Sequence, residues 1–379
     1  FTDGLNMKAV SDLYEPGELD VKALIAGNDI MLCAEDVPKA IKLIKKAINS
    51  GDISEQNIHE KCKKILMAKS WMNLDDFQTI DISSIDDSLT TEKTQKINYG
   101  LIKSSITLLQ NYDDIIPLKR LDTLKIASLS IGKKFNSFQE SLNLYAKVDT
   151  FSINEGADIK NQALVLDQLS KYNLVIVSVH KSNANAWKDF KISKNTDIFL
   201  QTIALQSKVV LSVFANPYSI NSFLFTDNFD AMVLGYQNSS LAQHIVAQSI
   251  FGGLSINGNI PVSTKHFSIN SGYSTDSIRL SYGLKLHKNF NKILEYKIDS
   301  LVDNAIEEKA IPGCQILIAK KGDVVFNKSY GHHTYENNQL VKNTDLYDLA
   351  SITKIVATVP ALMHMYDNQD LYLDLSLIH

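Results

Sequence analysis

Asp3, Ser351 with Lys354, and Glu155 are the side chains whose types and spacing could support covalent chemistry. Asp3 lies in Phe1-Thr2-Asp3-Gly4-Leu5-Asn6-Met7, where a strand-like run stops at a turn that leads into a helix. A carboxylate presented at the end of a strand can act as a nucleophile, and Asp before Gly is also a turn signal in its own right. Ser351 and Lys354 form a Ser-x-x-Lys pair where an apolar helix opens, which puts both on one side, one turn apart. A lysine so placed, desolvated or held beside other cations, can take the serine proton. The same spacing at Ser130 and Lys133 ends a strand instead, and reads as a decoy. Glu155 follows the strand-like Val148–Ile153 in an Asn154-Glu155-Gly156 turn, at the kind of strand end where ligands meet such sheets. His180 also ends a strand and reads as structural. Asp29 reads as holding the chain at a strand start.

The elements that must position these groups alternate in kind. Pro16-Gly17-Glu18 opens a helix that runs to Ala26, and Ile30-Met31-Leu32 reads as a short strand. Apolar residues at 37, 40, 41, 44, 47 and 48 make a helical stripe, stopped by Asn49-Ser50-Gly51. Ser54 caps a further helix with Ile58, Cys62, Ile65, Leu66 and Ala68 as its apolar positions. Residues 75 to 98 are polar, with a helix start near Thr91. From 106 on, apolar runs at 106–109, 124–129, 174–179, 209–214 and 231–234 alternate with helical stretches near 137–145, 159–170, 196–206 and 240–250. Runs of that kind suit strands buried on both faces, so a parallel sheet covered by helices is expected. Residues 266 to 290 are rich in Ser and Asn and read as a connector. An amphipathic helix from Ile293 to Ala310 is then broken by Ile311-Pro312-Gly313. A hairpin follows, turning at Lys320-Lys321-Gly322-Asp323.

The chain of 379 residues has room for two or three domains. Its formal charge of −4 gives no basic footprint for nucleic acid. No apolar run approaches a membrane span, and no export signal is visible at the front. Cys33, Cys62 and Cys314 are odd in number and far apart. They read as buried free thiols, not as a disulfide framework or zinc site. No cofactor or metal is expected.

FTDGLNMKAV, PGELDVKALIAGNDIMLCAEDVPKAI and GDISEQNIHEKCKKILMAKSW together resemble the end of the catalytic barrel of glycoside hydrolase family 3, the β-N-acetylglucosaminidase and β-glucosidase family. The resemblance covers residues 1 to 74. It implies that Asp3 is the retaining nucleophile and that Met7 lies near the sugar, although Met7 also reads as a core methionine. It implies a general acid that is either a His on a barrel loop before residue 1 or, as in many β-glucosidases, a Glu of the following α/β domain. Glu155 is the candidate for the latter, since no Glu occurs between Gly156 and Leu294. The His alternative points to N-acetylglucosaminides. SSITLLQN and IIPL fit the start of the family's α/β domain. PGCQILIAKKGDVVFNKSYG and LYDLASITKIVATVPALM resemble the class C-like serine β-lactamase and penicillin-binding-protein superfamily over 291 to 379. This implies Ser351 as acyl nucleophile and Lys354 as its partner, or else a degenerate domain kept for packing. The resemblance implies that the family's Tyr-x-Asn and Lys-Thr-Gly elements should follow, and this sequence ends before them.

The expected fold is therefore α/β. The C-terminal end of a (β/α)8 barrel (1–74) is followed by a linker and entry helix (75–104). An α/β/α sandwich with a mainly parallel sheet (105–265), a linker (266–290) and the start of an α+β serine β-lactamase-like domain (291–379) complete it. The expectation is an internal piece of a two-enzyme fusion, in which residue 1 is a cut and the stretch alone does not hydrolyse sugars. The expected partners are a small saccharide or cell-wall glycan and an acyl or peptide substrate at the last domain, with no nucleic acid. The resemblance further implies a periplasmic or exported location.

Overall fold

In the computed structural model, residues 1–76, 78–134, 136–182, 190–283, 288–336 and 338–373 are described. The chain folds as two compact units, Phe1–Ser88 and Leu89–His379.

The first unit contains α1 (Lys8–Ser11), α2 (Glu18–Ile25), α3 (Val37–Asn49) and α4 (Glu55–Trp71). Gly17 begins α2 with a φ of +85°, and a Cβ there would lie 2.9 Å from the Ala40 amide of α3, so both conformation and close approach require glycine. Asp36 caps α3 by accepting from the Lys39 amide, and Ser54 caps α4 by accepting from the Asn57 amide. Leu24, Ala47 and Ile53 form the small core, with Val21, Met31, Ile44, Ile48 and Ile58 around it. Of the stripe expected on α4, Ile58 and Ile65 are partly buried, but Cys62, Leu66 and Ala68 are exposed and Lys61 is buried. The Lys61 ammonium donates to the Gly27 and Asn28 carbonyls just past the end of α2, at 3.0 Å each. Its stem takes the place a small apolar residue would have filled. The two expected strands are also shorter than the sequence suggests. Among the described residues they meet in a single parallel bridge, Gly4 to Leu32, so the barrel itself is not formed by this unit.

Short helical turns at Ile82–Ser84 and α5 (Ile85–Leu89) interrupt the polar stretch. Thr91 then caps α6 (Glu92–Ser105), its hydroxyl accepting from the Thr94 amide. The α/β part follows as β1 (Thr107–Asn111), β2 (Ile126–Ile131), α7 (Ser137–Leu142), β3 (Val148–Ile153), α8 (Ile159–Leu169), β4 (Leu174–His180), α9 (Lys194–Ala204), β5 (Lys208–Phe214), β6 (Ala231–Leu234) and α10 (Ser240–Ile250). The strands order as β1-β6-β5-β4-β2-β3. β1 runs antiparallel to β6 and every other neighbour pair is parallel, which is the mainly parallel sheet expected. One face carries Ile126, Leu174, Ile176, Val210 and Phe214 into a core with α7 and α10. The other carries Leu129, Val177, Leu211 and Val213 against Leu169, Phe199 and Leu200.

Residues 266–283 are packed onto this sandwich, although they read as a connector. Leu108 bridges to Tyr273 and Ile256 to Thr275. The Arg279 guanidinium donates to the Leu118, Phe251 and Lys119 carbonyls. β7 (Ser281–Tyr282) pairs with the start of β9. α11 (Lys288–Glu307) precedes the hairpin of β8 (Gly313–Lys320) and β9 (Asp323–Gly331). Lys321 and Gly322 both have positive φ, the conformation of a two-residue type I′ turn. Val302, Phe326 and Tyr330 pack with Ile298, Ile306 and Ile316 between helix and hairpin. A wide π-type turn, Lys354–Thr358, runs into α12 (Val359–Asp367) with Pro360 in its first turn.

His180 is buried at the end of β4 and stacks on Phe214, with centroids 5.0 Å apart. Asn238 Oδ1 can only accept, so His180 Nδ1 donates to it at 2.9 Å and Ser178 Oγ donates to Nε2 at 3.0 Å. Burial pushes the imidazole pKa from 6.5 down to about 4, against the opposing Asn238 hydrogen bond. The folded state therefore prefers the neutral ring. That contribution is complete above pH 6.5 and is lost as pH falls toward 4, on the order of 3 kcal/mol in all. Denaturation between pH 7 and pH 4 is expected to show this loss, and His180→Gln is expected to flatten it.

Candidate active site

Asp3 sits on the turn that the Gly4–Leu32 bridge anchors. The Thr2 amide donates to the Ile30 carbonyl at 3.1 Å and the Leu5 amide to the Leu32 carbonyl at 2.9 Å. The Leu32 amide donates to Thr2 Oγ1 at 2.9 Å. These bonds fix the backbone on both sides of Asp3 and leave its side chain exposed. Asp3 Oδ1 accepts from the Gly4 amide at 2.8 Å, which is the turn geometry that Asp-Gly suggests. It also orients the carboxylate without covering it. Met7 is the residue before α1 and is exposed, so it is not a core methionine in this unit. A Cβ on Gly4 would lie 3.7 Å from Met7 Cγ, which places the thioether chain beside the Asp3 turn.

Asp29 accepts from the Lys64 ammonium at 3.0 and 2.9 Å, with Lys61 3.6 Å away. These cations hold its carboxyl below the usual range, the Lys64 hydrogen bond most of all. Asp29 thus joins α4 to the segment that pairs with the Asp3 turn, a structural role.

The sequence-derived Ser–Lys pair is in contact. Lys354 Nζ donates to Ser351 Oγ at 3.0 Å. Just before it, Ala350 has a φ of +44° and its amide donates to Asp348 Oδ1 at 2.8 Å. Ser351, Lys354 and the apolar residues that follow, including Ile355, Met363 and Tyr366, are exposed. For proton transfer the amine must be uncharged, which desolvation or nearby cations bring about.

The other candidates are accounted for by structure. Ser130 Oγ donates to the Lys133 carbonyl at 2.6 Å and accepts from Asn136 Nδ2 at 2.9 Å, which locks the turn after β2. Glu155 is ion-paired with Lys181 at 2.7 Å and accepts weakly from the Ser193 amide. It lines an open groove with Lys134, Asn154 and Asp158 at the carboxyl end of β3. Lys181 was not singled out in the sequence; its place directly after β4, on the same carboxyl edge of the sheet as the end of β3 with β2 between them, was the signal. Cys33 is exposed like Cys62, contrary to the buried thiols expected. Cys314 is half-buried, and burial pushes its thiol pKa up. Among the described residues no three His, Cys, Asp or Glu are grouped to hold a metal ion, and no helix is long and apolar enough to cross a membrane.

Comparison with known proteins bears on both ends of the chain. Residues 1–68 match the model of the glycosyl hydrolase family 3 N-terminal domain, and residues 298–377 match the beta-lactamase model. Among solved structures, a glycoside hydrolase family 3 β-N-acetylglucosaminidase from Paenibacillus sp. str. FPU-7 is similar at 22% identity and TM-score 0.50, over 68% of this chain and 49% of that one. A β-glucosidase from Listeria innocua in complex with isofagomine is similar at 16% identity and TM-score 0.53, over 68% of this chain and 39% of that one. These two likenesses show the fold. Protein flp of Staphylococcus aureus (strain NCTC 8325 / PS 47) is 35% identical over 60 residues, 16% of this chain and 12% of that protein. The chain thus spans about half or less of the solved structures and a small part of the curated relative. It joins a front segment of glycosyl hydrolase family 3 type to a back segment of beta-lactamase type.

Proposed function

We propose that the chain is part of a retaining, exo-acting β-N-acetylglucosaminidase that hydrolyses terminal N-acetylglucosaminides, with an appended serine-hydrolase-like domain. The observation that carries this reading is Asp3: it lies in the segment matched to family 3, on a backbone-anchored turn, with its carboxylate exposed. In the proposed reaction the Asp3 carboxylate attacks the anomeric carbon as the glycosidic C–O bond breaks. A general acid gives its proton to the departing oxygen. Water then attacks the glycosyl ester, returns the carboxylate and releases the sugar. The ion pair with Lys181 speaks against Glu155 as the acid. A family-type loop His is proposed instead, which favours N-acetylglucosaminides over the glucosides of the alternative β-glucosidase reading. The Paenibacillus relative's activity agrees with that preference. Cell-wall or chitin-type saccharides are the proposed substrates and an exported, periplasmic location the proposed setting.

A mechanism-based fluorosugar is expected to label Asp3 in the intact protein, as read by peptide mass mapping. Asp3→Asn should lower turnover of nitrophenyl-N-acetylglucosaminide by about 10⁴-fold. Labelling elsewhere, or full activity in the Asn variant, would sink the reading.

The contact between Lys354 and Ser351 favours a second reading, an acyl-transferring serine site for ester or peptide substrates. A fluorophosphonate or penicillin probe should then form an adduct on Ser351 that Ser351→Ala abolishes. An intact domain that takes up neither probe would count against it.

A further inference from the structure

Asp20, in the first turn of α2, is 2% exposed, and its Oδ1 has no hydrogen-bond partner among the described residues. A buried carboxylate oxygen without a donor is costly, and native proteins satisfy such atoms with protein groups or ordered water. Beside Asp20 is a cavity of about 10 Å³, lined by Leu5, Ser11, Tyr14, Glu15, Asp20 and Glu35, among others. That is room for one water-sized occupant. The lining also offers the two to four polar partners that a buried water needs, in the Ser11 and Tyr14 hydroxyls and the carboxylates of Asp20 and Glu35. Desolvation and the nearby Glu35 charge both push the Asp20 carboxyl pKa upward, in keeping with an oxygen that lacks a donor.

We propose that this cavity binds a single water molecule that donates a hydrogen bond to Asp20 Oδ1. The water site lies beside the Asp3 turn, because Leu5, two residues beyond Asp3, forms part of the same wall. A divalent cation is the competing occupant, but Ca²⁺ takes six to eight oxygens and Mg²⁺ a near-octahedral shell with several waters. A space for one sphere does not admit such a shell. The water site rests on the fold of the first unit and stands whether or not the chain is a glycosidase.

The test is a high-resolution crystal structure of the protein at neutral pH, with a second crystal soaked in a rubidium salt and a third in a manganese salt. One peak within hydrogen-bond distance of Asp20 Oδ1, with no anomalous signal from either metal, is expected. An empty cavity, or an anomalous peak in it, overturns the proposal. Asp20→Leu should expel the peak and Asp20→Asn, which keeps an acceptor, should retain it. If the Leu variant does not fold, the wild-type density and the Asn variant decide the question, and loss of the peak in a folded Asn variant counts against the site.

Discussion

The central strands of a parallel sheet must bury both faces, because the crossovers that join them lay helices on each side. Most of the second unit follows from this constraint. β2, β4 and β5 carry apolar side chains into two separate cores, so a polar group on them has to find its partner inside the protein. Ser130, Ser178 and Ser212 stand in register across the three strands. Two of them are met by Asn136 and His180. His180 is neutral because it is enclosed by this arrangement. The ends of β4 and β3 carry Lys181 and Glu155, which neutralise each other at the rim where water is available.

Much of this was legible in the sequence because burial on both faces leaves a plain mark, an unbroken apolar run. Helix caps were legible too, since Ser54 and Thr91 act locally. What could not be read depends on distant partners. Lys61 is buried because two carbonyls past the end of α2 lie within its reach, and no periodicity on α4 announces that. Ile30-Met31-Leu32 is strand-like in composition, yet meets the front segment in one bridge, Gly4 to Leu32. The Ser- and Asn-rich stretch after 265 reads as a connector, but its backbone is tied to the sandwich and Arg279 ties it further.

The candidate chemical groups were found from their local strings, and the structure gives each a backbone setting. Asp3 stands on a turn held on both sides by hydrogen bonds, and Ser351 is one helical turn from the amine it touches. Both are exposed. Exposure agrees with the sugar-facing role proposed for Asp3. It suits a serine–lysine pair less well, since amine basicity there draws on desolvation.

The clamp around Arg279 also bears on how the molecule can be divided. Its guanidinium holds the Leu118, Lys119 and Phe251 carbonyls at one edge of the sandwich, while Thr275 and Tyr273 extend the pairing of Ile256 and Leu108. A sandwich ended at Lys265 would leave those carbonyls and bridge positions open, exposing backbone that wants a partner strand. The stretch through Tyr282 is therefore part of the sandwich, and β7 within it pairs onward with β9.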